Sequence, residues 1–396
     1  MTLSRTGRLA GVALVGALSL TACGSDSNST GSGTSAAPAT SAASAAATDA
    51  SPADSAAGSA TPAAGGPVTG TLTGEGSSAQ KNAINQVITD FQQANPGATV
   101  NYNPSGSGAG IKNFNASLDD FAGSDSALKS ASTDGSTPEA DAAKARCGGN
   151  PAWNLPMVAG PIAVAYNLKG ADKVILTPEV AAKIFLGQVK TWDDAAIKAI
   201  NPGVTLPGTA IKVFFRSDDS GTTENFQKYL NGAAATVWTV APSKKFAGKV
   251  GEGKKGSDGV AAAVKATDGG IGYVEWSFAT KSSLGVAQID NGGGAVELTA
   301  DSAGKAVTAA KADGEGNDLK LKLDYATKTP GTYPIVLVTY NIVCSKGLAA
   351  DKTTLVKAFL KFFSSTEEQA KLTALGYAPL PAEVQTKVAA AVDAIS

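Results

Sequence analysis

Three times along the chain an apolar, strand-like run passes through a loop of small residues into a segment of helical periodicity, and this recurrence confines the fold to the α/β class. The first unit has a strand over residues 68–73, the loop Gly74-Glu75-Gly76-Ser77-Ser78, and a helical pattern of Ala83, Ile84, Val87, Ile88 and Phe91 that stops at Asn95-Pro96-Gly97. The second has a strand over 99–102, a Gly/Ser loop over 103–110 and a helix carrying Ile111, Phe114 and Leu118. The third has a strand over 211–215, the loop Arg216-Ser217-Asp218-Asp219-Ser220-Gly221-Thr222-Thr223, and a helix with Phe226, Tyr229 and Leu230 closing at Asn231-Gly232. Each loop brings hydroxyls and unpaired backbone N–H groups to a helix start, and in open α/β sheets ligands sit where such loops lie. One loop of this kind is ordinary turn chemistry; three, one of them holding an arginine, point to a ligand.

Alternation continues downstream. Residues 159–166 and 333–343 read as buried strands, and 269–276 as a turn into another. Thr177-Pro178-Glu179 opens a helix through Val180, Ile184 and Phe185, and Trp192-Asp193-Asp194 opens another with its aromatic packed inward. Near the C-terminus Leu355, Val356, Phe359, Leu360 and Phe363 share a helix face, and Thr366-Glu367-Glu368-Gln369 reads as a capping box. Residues 68–396 are long enough for two lobes.

What precedes them is expected to lie outside the folded part. Residues 1–22 read as a secretory signal whose apolar core is too short to remain as a membrane span, ending in Leu20-Thr21-Ala22-Cys23, with Cys23 as the lipidation site. Tight anchoring of that kind takes more than one acyl chain. Residues 23–67 are almost wholly Ala, Ser, Thr, Gly, Pro and Asp, a composition that cannot bury a core. As a coil the segment spans roughly 35–40 Å, so the chain is expected at the outer face of the cell membrane, on a stalk. Of the remaining cysteines, Cys147 and Cys344 read as a disulfide, which suits an exported protein; two free buried thiols are the other reading.

The formal net charge is −1, which leaves no basic footprint for nucleic acid. The chain has no histidine, which excludes Ser-His-Asp and Cys-His nucleophile systems and the common His-containing zinc sites. No cofactor or metal is expected, and no catalytic residue. In the loop from Arg216 to Thr223 the planar guanidinium fork matches tetrahedral oxyanion geometry, and the helix start adds N–H groups and partial positive charge. Its carboxylates make sense if they orient the arginine or if the ligand carries a proton. The run from Gly248 to Lys255 nearly fits a nucleotide phosphate loop, but Lys255 stands where a magnesium-binding hydroxyl is needed and no apolar strand immediately precedes it. It reads instead as a solvated basic loop before a helix over 258–264. Taken alone, Asp125 reads as a turn carboxylate.

Taken in order, Gly74-Glu75-Gly76-Ser77-Ser78, the Ser107 loop, Asp120-Phe121-Ala122-Gly123-Ser124-Asp125, Thr191-Trp192-Asp193-Asp194, Arg216 to Thr223, Ile271-Gly272-Tyr273-Val274-Glu275 and Gly376-Tyr377-Ala378-Pro379-Leu380-Pro381 resemble the phosphate-binding protein of Pst-type ABC transporters, across essentially the whole folded part. The resemblance implies a type II periplasmic-binding-protein fold, two α/β lobes with a ligand cleft between them. The lobes divide as 68–160, 161–331 and a return segment 332–396. It implies phosphate contacts from Ser78, Ala79 (through its backbone N–H), Ser107 and Asp125 in the first lobe, and from Arg216, Ser220, Gly221 and Thr222 in the second, with Asp218 orienting Arg216. Ala79 replaces the family's usual aromatic, and Glu75 and Asp219 replace small residues. The implied partners are inorganic phosphate and the membrane permease of a phosphate importer, with the binding protein itself a monomer. Asp125 is the expected discriminator, since an ionised carboxylate accepts a hydrogen bond from protonated phosphate and faces sulfate without one. Sulfate or molybdate binding and a secreted phosphatase are the alternatives. Residues 126–146 read as an insertion, and a Cys147–Cys344 bridge would staple the hinge.

Overall fold

The computed structural model describes residues 67–132, 135–171 and 173–396; the residues read as a secretory signal, Cys23 and nearly all of the segment read as a linker lie outside the described residues. The chain first builds β1 (Gly70–Gly76), α1 (Lys81–Ala94), β2 (Ala98–Asn103), α2 (Ser107–Asn115), β3 (Phe121–Ser124), α3 (Glu139–Arg146) and the long β4 (Ala152–Asn167). It continues through β5 (Ile175–Leu176), α4 (Pro178–Phe185), α5 (Ala195–Ile200), β6 (Lys212–Arg216), α6 (Gly221–Ala233), β7 (Glu252–Lys254), α7 (Gly256–Ala266), β8 (Gly270–Glu275) and α8 (Trp276–Lys281). Short strands β9 (Gly285–Val286), β10 (Gln288–Asp290) and β11 (Ala295–Val296) precede α9 (Ala300–Thr308) and the hairpin β12 (Lys311–Ala312) and β13 (Leu321–Lys322). The return consists of β14 (Val336–Cys344), α10 (Ala350–Ser364), α11 (Thr366–Leu372) and α12 (Ala382–Asp393).

β4 ties the two halves together. The main sheet runs β2-β1-β3-β14-β4-β8-β6-β7. Residues Ala152 to Pro161 of β4 pair with β14, and Ile162 to Asn167 pair with β8, both antiparallel, whereas β1, β2 and β3 are mutually parallel, as are β6, β7 and β8. Covered on both faces, β4 and β14 are almost entirely buried, which explains why both are continuous apolar runs without alternation. Two large cores flank them. One gathers Phe185, Phe226 and Tyr273, whose rings sit 4.6–4.8 Å apart in consecutive pairs, with Trp192 and Trp238; the other gathers Phe91, Phe121, Phe359 and Phe363. The chain is therefore α/β with two lobes.

Cys147, at the C-terminal cap of α3, is joined to Cys344 at the end of β14. The bridge fastens the end of α3 to the sheet within a small apolar cluster that also holds Phe114, Ala143 and Ile342.

Several local expectations are corrected. Gly74-Glu75-Gly76 is strand, not loop, because it pairs with both β2 and β3. The helix beginning at Ser107 ends at Asn115, so Leu118 lies beyond it and is 68% exposed. Ser117 there takes a positive φ of 59°, which breaks the helix before Leu118 can join its buried face. The last capping residue is Ser365, one position before Thr366; its side chain accepts from the Glu368 N–H.

Candidate functional site

Arg216 closes β6, and its position at a strand's carboxyl end aims it at the α6 N-terminus. The residue is only 2% exposed. Nε and Nη2 donate to the two oxygens of Asp218 at 2.8 and 2.5 Å, while Nη1 donates to Ser257 Oγ at 3.1 Å and, more weakly, to Thr222 Oγ1 at 3.4 Å. Burial opposes the arginine's charge, but the Asp218 carboxylate, aided by Glu275, outweighs it and holds the guanidinium above its usual pKa. Burial likewise opposes the Asp218 charge, and Arg216 again prevails and lowers that carboxyl. Asp218 also accepts from the Gly256 N–H at 3.0 Å, so it orients the fork and secures the start of α7 together. Ser220 caps α6 by accepting from the Thr223 N–H at 3.2 Å.

From the other lobe, Ser78 follows β1, Ser107 is the first residue of α2 and Asp125 follows β3. The Asp125 carboxylate is held by three hydroxyls. Oδ1 accepts from Ser77 Oγ at 2.5 Å and Thr339 Oγ1 at 2.7 Å, and Oδ2 accepts from Ser107 Oγ at 3.2 Å. Burial, with Glu275 second, pushes its pKa up to about 6, while Ser77, Thr339 and Arg216 pull the other way. A carboxylate offers about four acceptor sites, so one on Oδ2 remains for a ligand proton.

The lobes meet over these groups. Ser78 Oγ lies 2.9 Å from Ser257 Oγ and accepts from the Ser257 N–H at 3.2 Å; the Gly221 N–H donates to Ser107 Oγ at 3.2 Å; the Gly108 N–H donates to the Asp219 carbonyl at 2.9 Å. Gly221 makes this approach possible. A Cβ there would stand 2.6 Å from both Asp125 Cβ and Ser107 Oγ. The conformation is therefore a closed one, with first-turn N–H groups of α2, α6 and α7 gathered around one buried polar centre.

Ser78, Ser107, Asp125, Arg216, Ser220, Gly221, Thr222 and Asp218 are thus brought together. Ala79 differs. Its N–H donates to Ser77 Oγ at 3.0 Å, and its methyl packs into a hydrophobic core. Thr222 also differs in role, because its hydroxyl donates to Glu275 Oε1 at 2.6 Å and only its lone pairs face Arg216. Asp219 is exposed and contributes its backbone carbonyl, so its charge does not point at the centre. Glu75 neighbours Asp119, whose carboxyl is raised to about 6 by burial first and by Glu75 second.

Sequence reasoning missed four contributors. Ser257 lies between the solvated basic loop at 248–255 and the helix expected over 258–264; there β7 pairs with β6 at the sheet edge and α7 begins at Gly256. A glycine and serine opening a helix were its available signal. Glu275 lay inside a quoted motif without a role, and its Oε2 has no hydrogen-bond partner among the described residues. Ser77 sat in the first loop, beside the serine chosen. Thr339 had no local signal. Its strand slips register against β4 between Thr339 and Tyr340, where β4 also carries Pro156, and such an irregularity re-aims side chains.

Chemically, the arginine, hydroxyls and helix N-termini suit a tetrahedral oxyanion, and Asp125 suits one that carries a proton. Among the described residues no group of three or more His, Cys, Asp or Glu side chains could hold a metal ion.

This architecture and site place the chain in a class of two-lobed binding proteins, and residues 61–367 match the PBP superfamily domain. Over 400 aligned residues, covering 100% of both chains, it is 46% identical to the phosphate-binding protein PstS 3 of Mycobacterium tuberculosis (strain ATCC 25618 / H37Rv). It is 33% identical to the phosphate-binding protein PstS of Methanocaldococcus jannaschii, over 80% of this chain and 84% of that one. The chain belongs to the PstS family of phosphate-binding proteins. Its fold is shared with the solved phosphate-binding protein from Stenotrophomonas maltophilia at a TM-score of 0.62 and 20% identity, covering 81% of this chain and 94% of that one.

Proposed function

We propose that the protein captures inorganic phosphate between its two lobes and delivers it to the permease of an ABC importer. The observation that carries this reading is the Asp125 carboxylate, saturated by hydroxyls except for one acceptor position, opposite a fully buried arginine. An oxyanion bearing a proton satisfies both groups; sulfate satisfies only the arginine. Ser78, Ser220 and the N–H group of Thr222 complete the proposed phosphate shell, joined by Ser257, while the Ser107 hydroxyl gives its proton to Asp125 and accepts from the Gly221 N–H. The proposed lobe limits are 68–160, 161–331 and 332–396, supported by the exchange of partners along β4 at Pro161 and Ile162. The role is binding rather than catalysis, exercised as a monomer outside the cytoplasm and tethered through lipid on Cys23 after removal of residues 1–22.

Calorimetry on a form lacking residues 1–67 tests this. Wild type binds phosphate and leaves sulfate unbound, and Asp125→Asn loses that discrimination. If the mutant excludes sulfate as well as its parent does, Asp125 is not the filter.

A further inference from the structure

Beyond the phosphate shell, a second set of contacts crosses between the lobes, and it is carried by the 126–146 insertion. Glu139, the first residue of α3, receives Lys244 Nζ of the opposite lobe at 2.6 Å on Oε1 and the Lys129 N–H at 3.1 Å on Oε2. Lys244 has a side chain only 9% exposed and Glu139 27%, so this pair is far more shielded than a surface ion pair.

Each end of the pair is rigidly mounted on the phosphate machinery. The Lys244 carbonyl accepts from the N–H of Ser220 at 2.9 Å, and Gln227 of α6 donates to the carbonyls of Ser243 and Lys245 at 2.8 and 3.0 Å. On the other side, the insertion leaves Asp125 directly. Ser126 Oγ donates to Glu224 Oε2 of α6 at 3.0 Å, and Asn225 donates to the Asp125 carbonyl at 2.7 Å. The far end of α3 is pinned to the first lobe. Arg146 donates to the carbonyls of Phe114 and Asp119 at 3.1 and 2.6 Å, and the adjacent Cys147 is bridged to Cys344.

We propose that α3 is a clasp whose Glu139 engages Lys244 as the lobes close, and that this pair sets how long phosphate is retained. The proposal rests on the phosphate-clamp reading above. Neither residue reaches the ligand; both act as positioning residues by stabilising the closed state over the open one. A shielded charge pair formed only on closure acts chiefly on the dissociation rate, since encounter precedes its formation.

The test is a double-mutant cycle of Glu139→Gln and Lys244→Met, with phosphate release followed by pulse–chase of labelled phosphate and unfolding of the phosphate-free protein measured in parallel. Glutamine keeps an acceptor for the Lys129 N–H, so the insertion stays seated. Each single variant is expected to release phosphate about tenfold faster with its association rate within about twofold of the parent. The double variant is expected to be no faster than either single, and Glu139→Gln to leave the melting temperature of the phosphate-free protein unchanged. Release rates equal to the parent's, or single effects that multiply independently in the double variant, overturn the clasp. A parent that binds no phosphate overturns the clamp and the clasp together.

Discussion

Gly221→Ala is the sharpest probe of the closed geometry, because it adds one methyl where the lobes touch and changes no charge. The added Cβ would lie 2.6 Å from Asp125 Cβ, 2.6 Å from Ser107 Oγ and 2.8 Å from Asp125 Oδ2. Those are all inside ordinary contact distance. Asp125 and Ser107 are fixed to each other by two hydrogen bonds, so neither can step aside without breaking that pairing. Overpacking of this kind costs about 1–3 kcal/mol. That penalty falls only on the closed state, so phosphate affinity should drop roughly 5- to 150-fold. The open state should feel the opposite. Gly221 is the first residue of α6 and its backbone is not left-handed, so alanine there stabilises by about 0.4–1 kcal/mol through the unfolded chain. Calorimetric titration with phosphate, paired with thermal unfolding of the phosphate-free protein, reads both effects. Unchanged affinity would refute the reasoning, since it would mean the lobes do not meet over Gly221 when phosphate is bound. Lower stability without phosphate would show that the glycine serves α6 itself rather than closure.

Three further outcomes are expected. Arg216→Ala removes a desolvated charge and leaves the half-buried Asp218 without its partner, so phosphate affinity should fall by about 2–5 kcal/mol, read by calorimetry. In the closed form burial raises the Asp125 pKa from 3.8 to about 6, so between those values that form holds an extra proton and its stability falls as pH rises through the window. Asp125→Asn removes that titration, so the fall in unfolding free energy between pH 4 and 6 seen in the parent should be absent in the variant, as measured by urea unfolding at a series of pH values. Removing the Cys147–Cys344 bridge by paired serine substitutions frees a loop with a sequence separation of 197. It should cost about 2–5 kcal/mol of unfolding free energy by the same measurement.

Much of this protein was legible along the chain because its determinants are local. The helices that follow the three small-residue loops, and the apolar runs that became β4 and β14, are set by residues within a few positions of one another. Arg216 and Asp218 stand only two positions apart, and the match between a guanidinium and an oxyanion is a property of the side chain itself. The family likeness then supplied Ser78, Ser107 and Asp125 as partners. What the chain could not display is how donors and acceptors are shared once it folds. Ser257 and Ser78 are 179 residues apart, and Thr339 and Asp125 are 214 apart, yet each pair shares a hydrogen bond that sheet register and lobe closure bring about. Thr222 is expected among the phosphate contacts, and its hydroxyl gives its proton to Glu275. A hydroxyl has one proton to donate, and only the three-dimensional arrangement of competing acceptors decides which of them receives it.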